Sequence, residues 1–145
     1  MKLILQTDVN QPLRQVAAGF GEPLLRALAP PFPRLKLLRY DGNKLGNIVI
    51  FELHFGITKQ RWISEIIADG ESQQEWYFVD EGRELPKPLT YWRHRHRLLA
   101  LPEGGTRIVD DITYSSGNSL LNLILYPALL AQFLYRKPVY KKFFA

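Results

Sequence analysis

The stretch TYWRHRHRLL, Thr90 to Leu99, interleaves three arginines with two histidines behind a tryptophan. A β-strand sends alternate side chains to opposite faces of its sheet. One predicted face is basic and carries Tyr91, Arg93, Arg95, Arg97 and Leu99. The other predicted face carries Trp92, His94, His96 and Leu98. Two histidines directed toward a core predict either a buried polar network or a pocket with a polar wall.

Five further strand-like segments lie on either side of this stretch. The six segments are RLKLLRY, IVIFELHF, RWISEIIA, EWYFVDE, TYWRHRHRLLAL and TRIVDDITY. They are rich in β-branched and aromatic residues, and no helical pattern separates them. Asp41-Gly42-Asn43 and Glu103-Gly104-Gly105 supply residues that tolerate positive φ in tight turns. The pattern predicts an antiparallel meander.

The two ends of the chain add one strand and three helical segments. KLILQTDV predicts a first strand, followed by a helix from about Gln11 to Ala18 that side chains of residues 8–10 would cap. GEPLLRALAP predicts a second short helix, which the following prolines end. A long helical segment begins near Ser119, and Pro127 and Pro138 are predicted to bend or divide it.

Length and composition predict one domain spanning residues 1–145. Apolar residues make up 46% of the chain and charged residues 23%, which are ordinary globular values. Cysteine is absent, so a disulfide framework and a thiolate metal site are excluded. The segment MKLILQTDV reaches an acidic residue too early for a signal peptide, so a cytoplasmic location is expected. The net charge of +5 is scattered along the chain and indicates no particular partner.

The uncharged segment from Ser119 to Tyr135 is the main reason to consider a membrane. It has only 17 residues and contains Asn122, Pro127 and Gln132, so a helix buried within the domain is preferred and no transmembrane span is predicted. Its apolar residues surround most of the helix, which predicts burial on more than one side. A face left uncovered would bind a second copy, giving a homodimer, or a lipid surface.

Motifs in the second half of the chain support a family resemblance. They are Phe78, Asp80 and Glu81; Trp92, His94 and His96; Gly105, Thr106, Asp110 and Tyr114; and Phe133 and Arg136. With the order of elements, they resemble bacterial SRPBCC ligand-binding proteins of the START and Bet v 1-like superfamily. The resemblance implies an α+β helix-grip fold: a curved antiparallel sheet of about seven strands wrapped around a long C-terminal helix, with two short helices after the first strand.

The resemblance also implies a function, the binding of a small, largely apolar ligand between the curved sheet and the C-terminal helix. One departure from the pattern lies in GRELPKPLTYW, residues 82–92, which stands where a shorter glycine-proline connection is expected. This loop is predicted to alter the mouth of the pocket.

Neighbouring strands should bring the inward polar residues together on the concave face of the sheet. The predicted ligand-binding residues are Trp76, Phe78, Asp80, Trp92, His94, His96, Asp110 and Tyr114. The aromatic members would contact an apolar body, and the His and Asp groups would select a polar end. The alternative is that the same His and Asp groups form only a buried polar network.

Two chemical alternatives use the same polar residues. His94 and His96 could join Asp80 or Asp110 around zinc or iron, but no HExxH motif or cysteine pair accompanies them, so no metal and no cofactor are predicted. A small cyclase, dehydratase or hydrolase-like enzyme could use the same groups as general acid or base, because some members of the superfamily are catalytic. No serine or cysteine nucleophile motif supports this, and no catalytic residue is assigned.

Two further alternatives concern the surface of the domain. A membrane-associated or oligomeric interaction module would use the uncharged helix and its basic tail. The arginine face of TYWRHRHRLL would offer phosphate contacts, but no nucleic-acid-binding motif is present and no nucleic-acid partner is predicted. These arginines are expected to be solvated and to pair with acids such as Asp111.

Overall fold

The computed structural model describes residues 1–145, which form seven strands and three helices. The elements are β1 (Lys2–Val9), α1 (Leu13–Ala18), α2 (Glu22–Ala27), β2 (Arg34–Tyr40), β3 (Ile48–His54), β4 (Lys59–Glu71), β5 (Glu75–Glu84), β6 (Tyr91–Ala100), β7 (Thr106–Ser115) and α3 (Ser119–Phe143). The predicted α+β fold class, a curved antiparallel sheet with a long C-terminal helix, is confirmed.

All seven strands belong to one sheet with the order β1-β7-β6-β5-β4-β3-β2. Strands β2 to β7 form the predicted meander, since each pairs antiparallel with the next. Strand β1 pairs with β7, so the first and last strands of the chain are neighbours. The β6–β7 turn contains Gly104 at φ +96°, a conformation that glycine adopts without a steric penalty. This topology places β6 between β5 and β7, inside the sheet.

Strand β6 shows the predicted alternation. Trp92 and His94 are buried at 4% and 3% exposure, whereas Arg93 between them is exposed. The inner face of the sheet packs against the helices through two apolar clusters. One cluster includes Val16, Leu24, Leu98, Ile108, Tyr140 and Phe144. The other includes Leu3, Trp92, Ile112, Tyr114 and Phe133.

Helix α3 is buried on one side only, so the prediction of burial on more than one side is wrong. Phe133 and Tyr140 are buried, whereas the opposite side carries the exposed residues Leu120, Leu123, Ile124 and Leu134. The sheet contacts the helix from one direction and leaves this outer face uncovered. Association through that face stays a prediction. None of the three helices has both the length and the apolar character that crossing a bilayer requires.

Both prolines lie within a continuous α3, so of the two predicted outcomes, a bend or a division, the division does not occur. Pro127 and Pro138 are on the exposed side of the helix. A proline deprives the carbonyl group four residues earlier of its amide donor, here at Leu123 and Leu134. These two residues are exposed as well, so water can reach the freed carbonyl groups.

The beginning of α1 also differs from the prediction. The helix begins at Leu13, Pro12 occupies the N-cap position, and no side chain caps the helix. Asp8 binds Arg107 instead, through two hydrogen bonds of 2.9 and 3.1 Å. Helix α2 has Pro23 in its first turn and ends at Ala27, before the prolines, as predicted.

Side chains on the outer face of the sheet around β6 form ion pairs within the domain, but the predicted pair with Asp111 is not among them. Asp111 accepts a hydrogen bond from Lys2 at 2.9 Å, so its predicted pairing with an arginine is wrong. Arg97 donates to Glu75 at 2.6 Å. Lys2 reaches Asp111 because β1 is the other neighbour of β7.

Candidate functional site

A cavity of about 190 Å³ lies between the inner face of the sheet, helix α2 and helix α3. Of the 27 residues that line it, 17 are hydrophobic. The apolar wall includes Leu24, Leu28, Val49, Leu53, Ile66 and Phe133. The cavity is therefore a largely apolar space between strands on one side and two helices on the other.

One part of the wall is polar and is formed by β5, β6 and α3. Asp80, His94, His96 and Arg136 all line the cavity there. The two histidines lie on the inner face of β6 because they are two residues apart. Asp80 is directly opposite His94 in the β5–β6 register, and Asp110 is directly opposite His96 in the β6–β7 register.

His94 is held by Asp110, a buried residue behind the cavity wall. Its Nε2 atom donates a hydrogen bond of 2.8 Å to Asp110 Oδ1. The Tyr140 hydroxyl donates to Asp110 Oδ2 at 3.2 Å, and an Arg136 nitrogen lies 3.6 Å from Asp110 Oδ1. Burial opposes ionisation of Asp110, but the bond from His94 and the charge of Arg136 outweigh it and lower the pKa of this carboxyl group. Asp110 is therefore an anion that joins β7 to β6 and α3.

His96 is held by Asp80 in the same way. Its Nε2 atom donates a hydrogen bond of 2.6 Å to Asp80 Oδ2. Burial, followed by the neighbouring His94, lowers the pKa of His96 to about 4, so its imidazole is neutral near pH 7. Burial also opposes ionisation of Asp80, but the bond from His96 outweighs it and the pKa of Asp80 is lowered.

The two imidazoles are stacked on each other and on an aromatic residue. The ring centroids of His94 and His96 are 3.5 Å apart, and those of His96 and Phe78 are 4.1 Å apart. His94 Nδ1 lies 3.9 Å from Asp80 Oδ2, which is beyond hydrogen-bonding distance. Asp80, His94 and His96 each place one metal-binding atom within 4.8 Å of the others. The stack fixes the position of both rings along the cavity wall.

Five of the eight sequence-predicted site residues line the cavity: Phe78, Asp80, Trp92, His94 and His96. The other three lie elsewhere. Trp76 packs against Phe20, with ring centroids 5.7 Å apart, and Asp110 is behind His94. Tyr114 is fully buried and donates to the carbonyl oxygen of Asn122 at 2.8 Å. The ligand-binding role of the whole set stays a prediction.

Several lining residues were not among the predicted site residues. Arg136 and Tyr140 come from α3, and Trp62 comes from β4. Arg136 and Tyr140 follow Phe133 at helical spacings of three and then four residues, a pattern that indicates one helix face. Trp62 contacts Trp92 edge to face, with centroids 4.8 Å apart. Of the segment predicted to alter the pocket mouth, residues 82–92, only Trp92 lines the cavity, and Leu85 and Leu89 pack against the cluster that contains Trp92.

Comparisons with known proteins identify the architecture. No family model matches the sequence, and no curated protein matches it. Among solved structures, norcoclaurine synthase from Thalictrum flavum is similar over 98% of this chain and 84% of its own, with a TM-score of 0.68 and 14% identity. The chain has the Bet v 1-like helix-grip fold.

Two further helix-grip structures cover nearly the whole chain. The Zhui aromatase/cyclase from a Streptomyces species is similar over 97% of this chain and 90% of its own, with a TM-score of 0.64 and 12% identity. The major latex-like protein 151 from Panax ginseng covers 93% of this chain and 97% of its own, with a TM-score of 0.57 and 18% identity. At these identities the likeness establishes the helix-grip fold, which hosts many functions.

Proposed function

We propose that the chain binds a small, largely apolar molecule in the cavity between the sheet, α2 and α3. The observation that carries this proposal is a cavity of about 190 Å³ with 17 hydrophobic residues among its 27 lining residues and with Asp80, His94, His96 and Arg136 grouped on one part of its wall. Such a composition is typical of small-molecule sites. A cavity of about 150 Å³ holds a benzene molecule, so the part of a ligand held inside this cavity has about the size of a substituted single ring or a pair of fused rings.

The polar cluster is needed for useful affinity. A ring-sized ligand buries about 150–250 Å² of apolar surface, which contributes ~4–6 kcal/mol at about 25 cal/mol per Å². Binding energy of that size corresponds to dissociation constants of roughly 0.05 to 1 mM. Hydrogen bonds from a hydroxyl or carbonyl group of the ligand to His96, Asp80 or Arg136 would strengthen binding and fix its orientation.

The first test is native mass spectrometry of freshly purified protein beside its denatured mass. A stoichiometric organic adduct would identify the ligand directly. The second test is calorimetric titration with naphthol, which has a two-ring apolar body and one hydroxyl group. We expect Val49→Phe to abolish naphthol binding, because Val49 lines the cavity and the larger side chain fills it.

The matched control is Ile57→Phe, which adds the same side chain at a fully exposed position outside the cavity. It should bind naphthol as the wild type does. A protein that carries no adduct and binds no naphthol would contradict the proposal, and so would equal binding by both variants.

A second candidate function is acid–base catalysis on the bound molecule. The observation that favours it is that Asp110 orients His94 while both imidazoles line the cavity, an arrangement that suits proton transfer. The test is incubation of any co-purified molecule with fresh protein, followed by mass analysis of the products. Turnover that survives His96→Gln and His94→Gln, or the absence of any turnover, would reject this candidate.

A further inference from the structure

Three side chains on the polar wall place metal-binding atoms close to one another. They are Asp80 on β5 and the two histidines of β6, and their ligand atoms lie within 4.8 Å of one another. Donor atoms that share a tetrahedral zinc ion are roughly 3.3 Å apart, because each bond to the metal is about 2.0 Å long. The His96 Nε2 to Asp80 Oδ2 distance is 2.6 Å and the His94 Nδ1 to Asp80 Oδ2 distance is 3.9 Å. Both distances reach the required value with shifts of less than about 1 Å.

The hydrogen bond behind His94 selects the tautomer that a metal needs. Asp110 is ionised and can only accept, so His94 Nε2 carries the proton in their 2.8 Å hydrogen bond. The lone pair of His94 is consequently on Nδ1, the atom on the side of Asp80. A carboxylate bound to the far nitrogen of a histidine is the usual support for a metal-ligating imidazole.

The charge of the cluster also favours a cation. It contains the carboxylates of Asp80 and Asp110 and the guanidinium of Arg136, so the carboxylates outnumber the guanidinium by one. Arg136 is 3.6 Å from Asp110, whereas Asp80 has no lysine or arginine within ion-pair distance. A buried carboxylate without a cationic partner is costly, and a divalent ion next to Asp80 removes that cost.

We propose that Asp80 Oδ2, His94 Nδ1 and His96 Nε2 bind one divalent ion of the zinc or iron(II) class. His96 changes tautomer when the ion enters: Nε2 releases its proton and Nδ1 takes one up from solvent, so the ring stays neutral and Nε2 gains a free lone pair. Two nitrogens and one carboxylate oxygen suit these metals, and all three residues line the cavity. Magnesium is disfavoured because it selects oxygen ligands.

The experiment is a calorimetric titration of chelator-treated protein with zinc chloride, repeated with ferrous ion under anaerobic conditions and with magnesium chloride. No organic ligand is present, so the result is independent of the small-molecule proposal. We expect one zinc or ferrous ion per chain and no magnesium. Asp80→Asn and His96→Ala should lose the metal, whereas Asp110→Asn should bind it about 10–100-fold more weakly.

The matched control is His54→Ala, which removes the third histidine of the chain at a site outside the cavity. It should bind metal as the wild type does. Circular dichroism shows whether His96→Ala folds. If it does not fold, Asp80→Asn alone tests the loss of metal binding, because asparagine keeps the shape of the Asp80 side chain. The proposal is overturned if the wild type binds neither zinc nor ferrous ion, or if Asp80→Asn binds as tightly as the wild type.

Discussion

His94 and Asp110 are hydrogen bonded at 2.8 Å although neither is directly opposite the other in the sheet. The register pairs His94 with Ile112, and Asp110 with His96. The second bond, between His96 and Asp80, is diagonal in the same way, because Asp80 is opposite His94. Diagonal neighbours across a sheet are within reach of long side chains. The two bonds therefore connect β5, β6 and β7 through side chains as well as through the backbone.

Asp110→Asn should destabilise the protein strongly. The substitution removes the anion that binds His94, Tyr140 and Arg136, and loss of one partner from a buried charged group costs about 3–5 kcal/mol. Urea denaturation measures the change in the free energy of unfolding. The control is Asp111→Asn, next along the same strand, whose partner Lys2 is 62% exposed; it should cost less than about 1 kcal/mol. Equal losses in the two variants would contradict the assignment of Asp110 as a structural anion.

The stability of the metal-free protein should fall as the pH decreases from 6.5 to 4. The pKa of His96 is about 4 in the folded chain, whereas that of an ordinary, solvated histidine is 6.5. Between these values the unfolded chain binds a proton that the folded chain does not, so acid favours unfolding by up to ~3 kcal/mol. Below pH 4 both states are protonated at His96 and its contribution stops changing. The titratable groups that act on His96 are His94, Asp80 and Asp110, and Arg136 and Tyr140 contact Asp110.

Urea denaturation at several pH values, in the presence of a chelator, measures this dependence. His96→Gln removes the titrating group and should give a shallower decrease between pH 6.5 and 4. The lowered pKa values of Asp80 and Asp110 add a further loss only below their usual value of 3.8. If the free energy of unfolding changes with pH equally in the wild type and in His96→Gln, His96 is not the source of the pH dependence.

Trp92→Ala should weaken naphthol binding by about three- to thirteenfold. Trp92 lines the cavity, and losing even half of the ~1.5–3 kcal/mol that a buried apolar side chain contributes gives a change of this order. Trp76→Ala is the matched control because Trp76 is on the neighbouring strand but outside the cavity wall. Calorimetry should show near-wild-type affinity for it. A larger loss in Trp76→Ala than in Trp92→Ala would place the ligand elsewhere.

The basic outer face of β6 should not bind nucleic acid. Arg97 is paired with Glu75, and the Arg95 guanidinium lies 5.3 Å from the centroid of the Tyr77 ring, so both side chains already have partners. Fluorescence anisotropy of labelled single-stranded DNA at low salt measures this, because phosphate contacts are strongest there. Binding that weakens steeply with added salt, and that is lost in Arg93→Ala, would contradict the expectation.

The order of strands and the shared face of Asp80, His94, His96 and Asp110 could be predicted, because both follow from alternation and local turns. The diagonal pairing could not, since it depends on side-chain rotamers rather than on register. The roles of Arg136 and Tyr140 depend on how α3 is rotated against the sheet. Its apolar residues surround most of the helix, so the sequence does not mark the buried side. Trp76 does not line the cavity because it packs against Phe20, a residue that lies outside the strands.

Helix α3 is fastened to β7 near both of its ends, and this constrains the route by which a ligand is exchanged. Tyr114 on β7 donates to the carbonyl oxygen of Asn122 in the first turns, and Tyr140 in the last turns donates to Asp110. Lifting α3 from the sheet would break both bonds and expose Asp110. We therefore expect entry and exit on the opposite side, where the residues of α2 and of the segment 29–35 that line the cavity are all apolar. A disulfide that joined α2 to β2 would then slow ligand exchange without changing the polar wall.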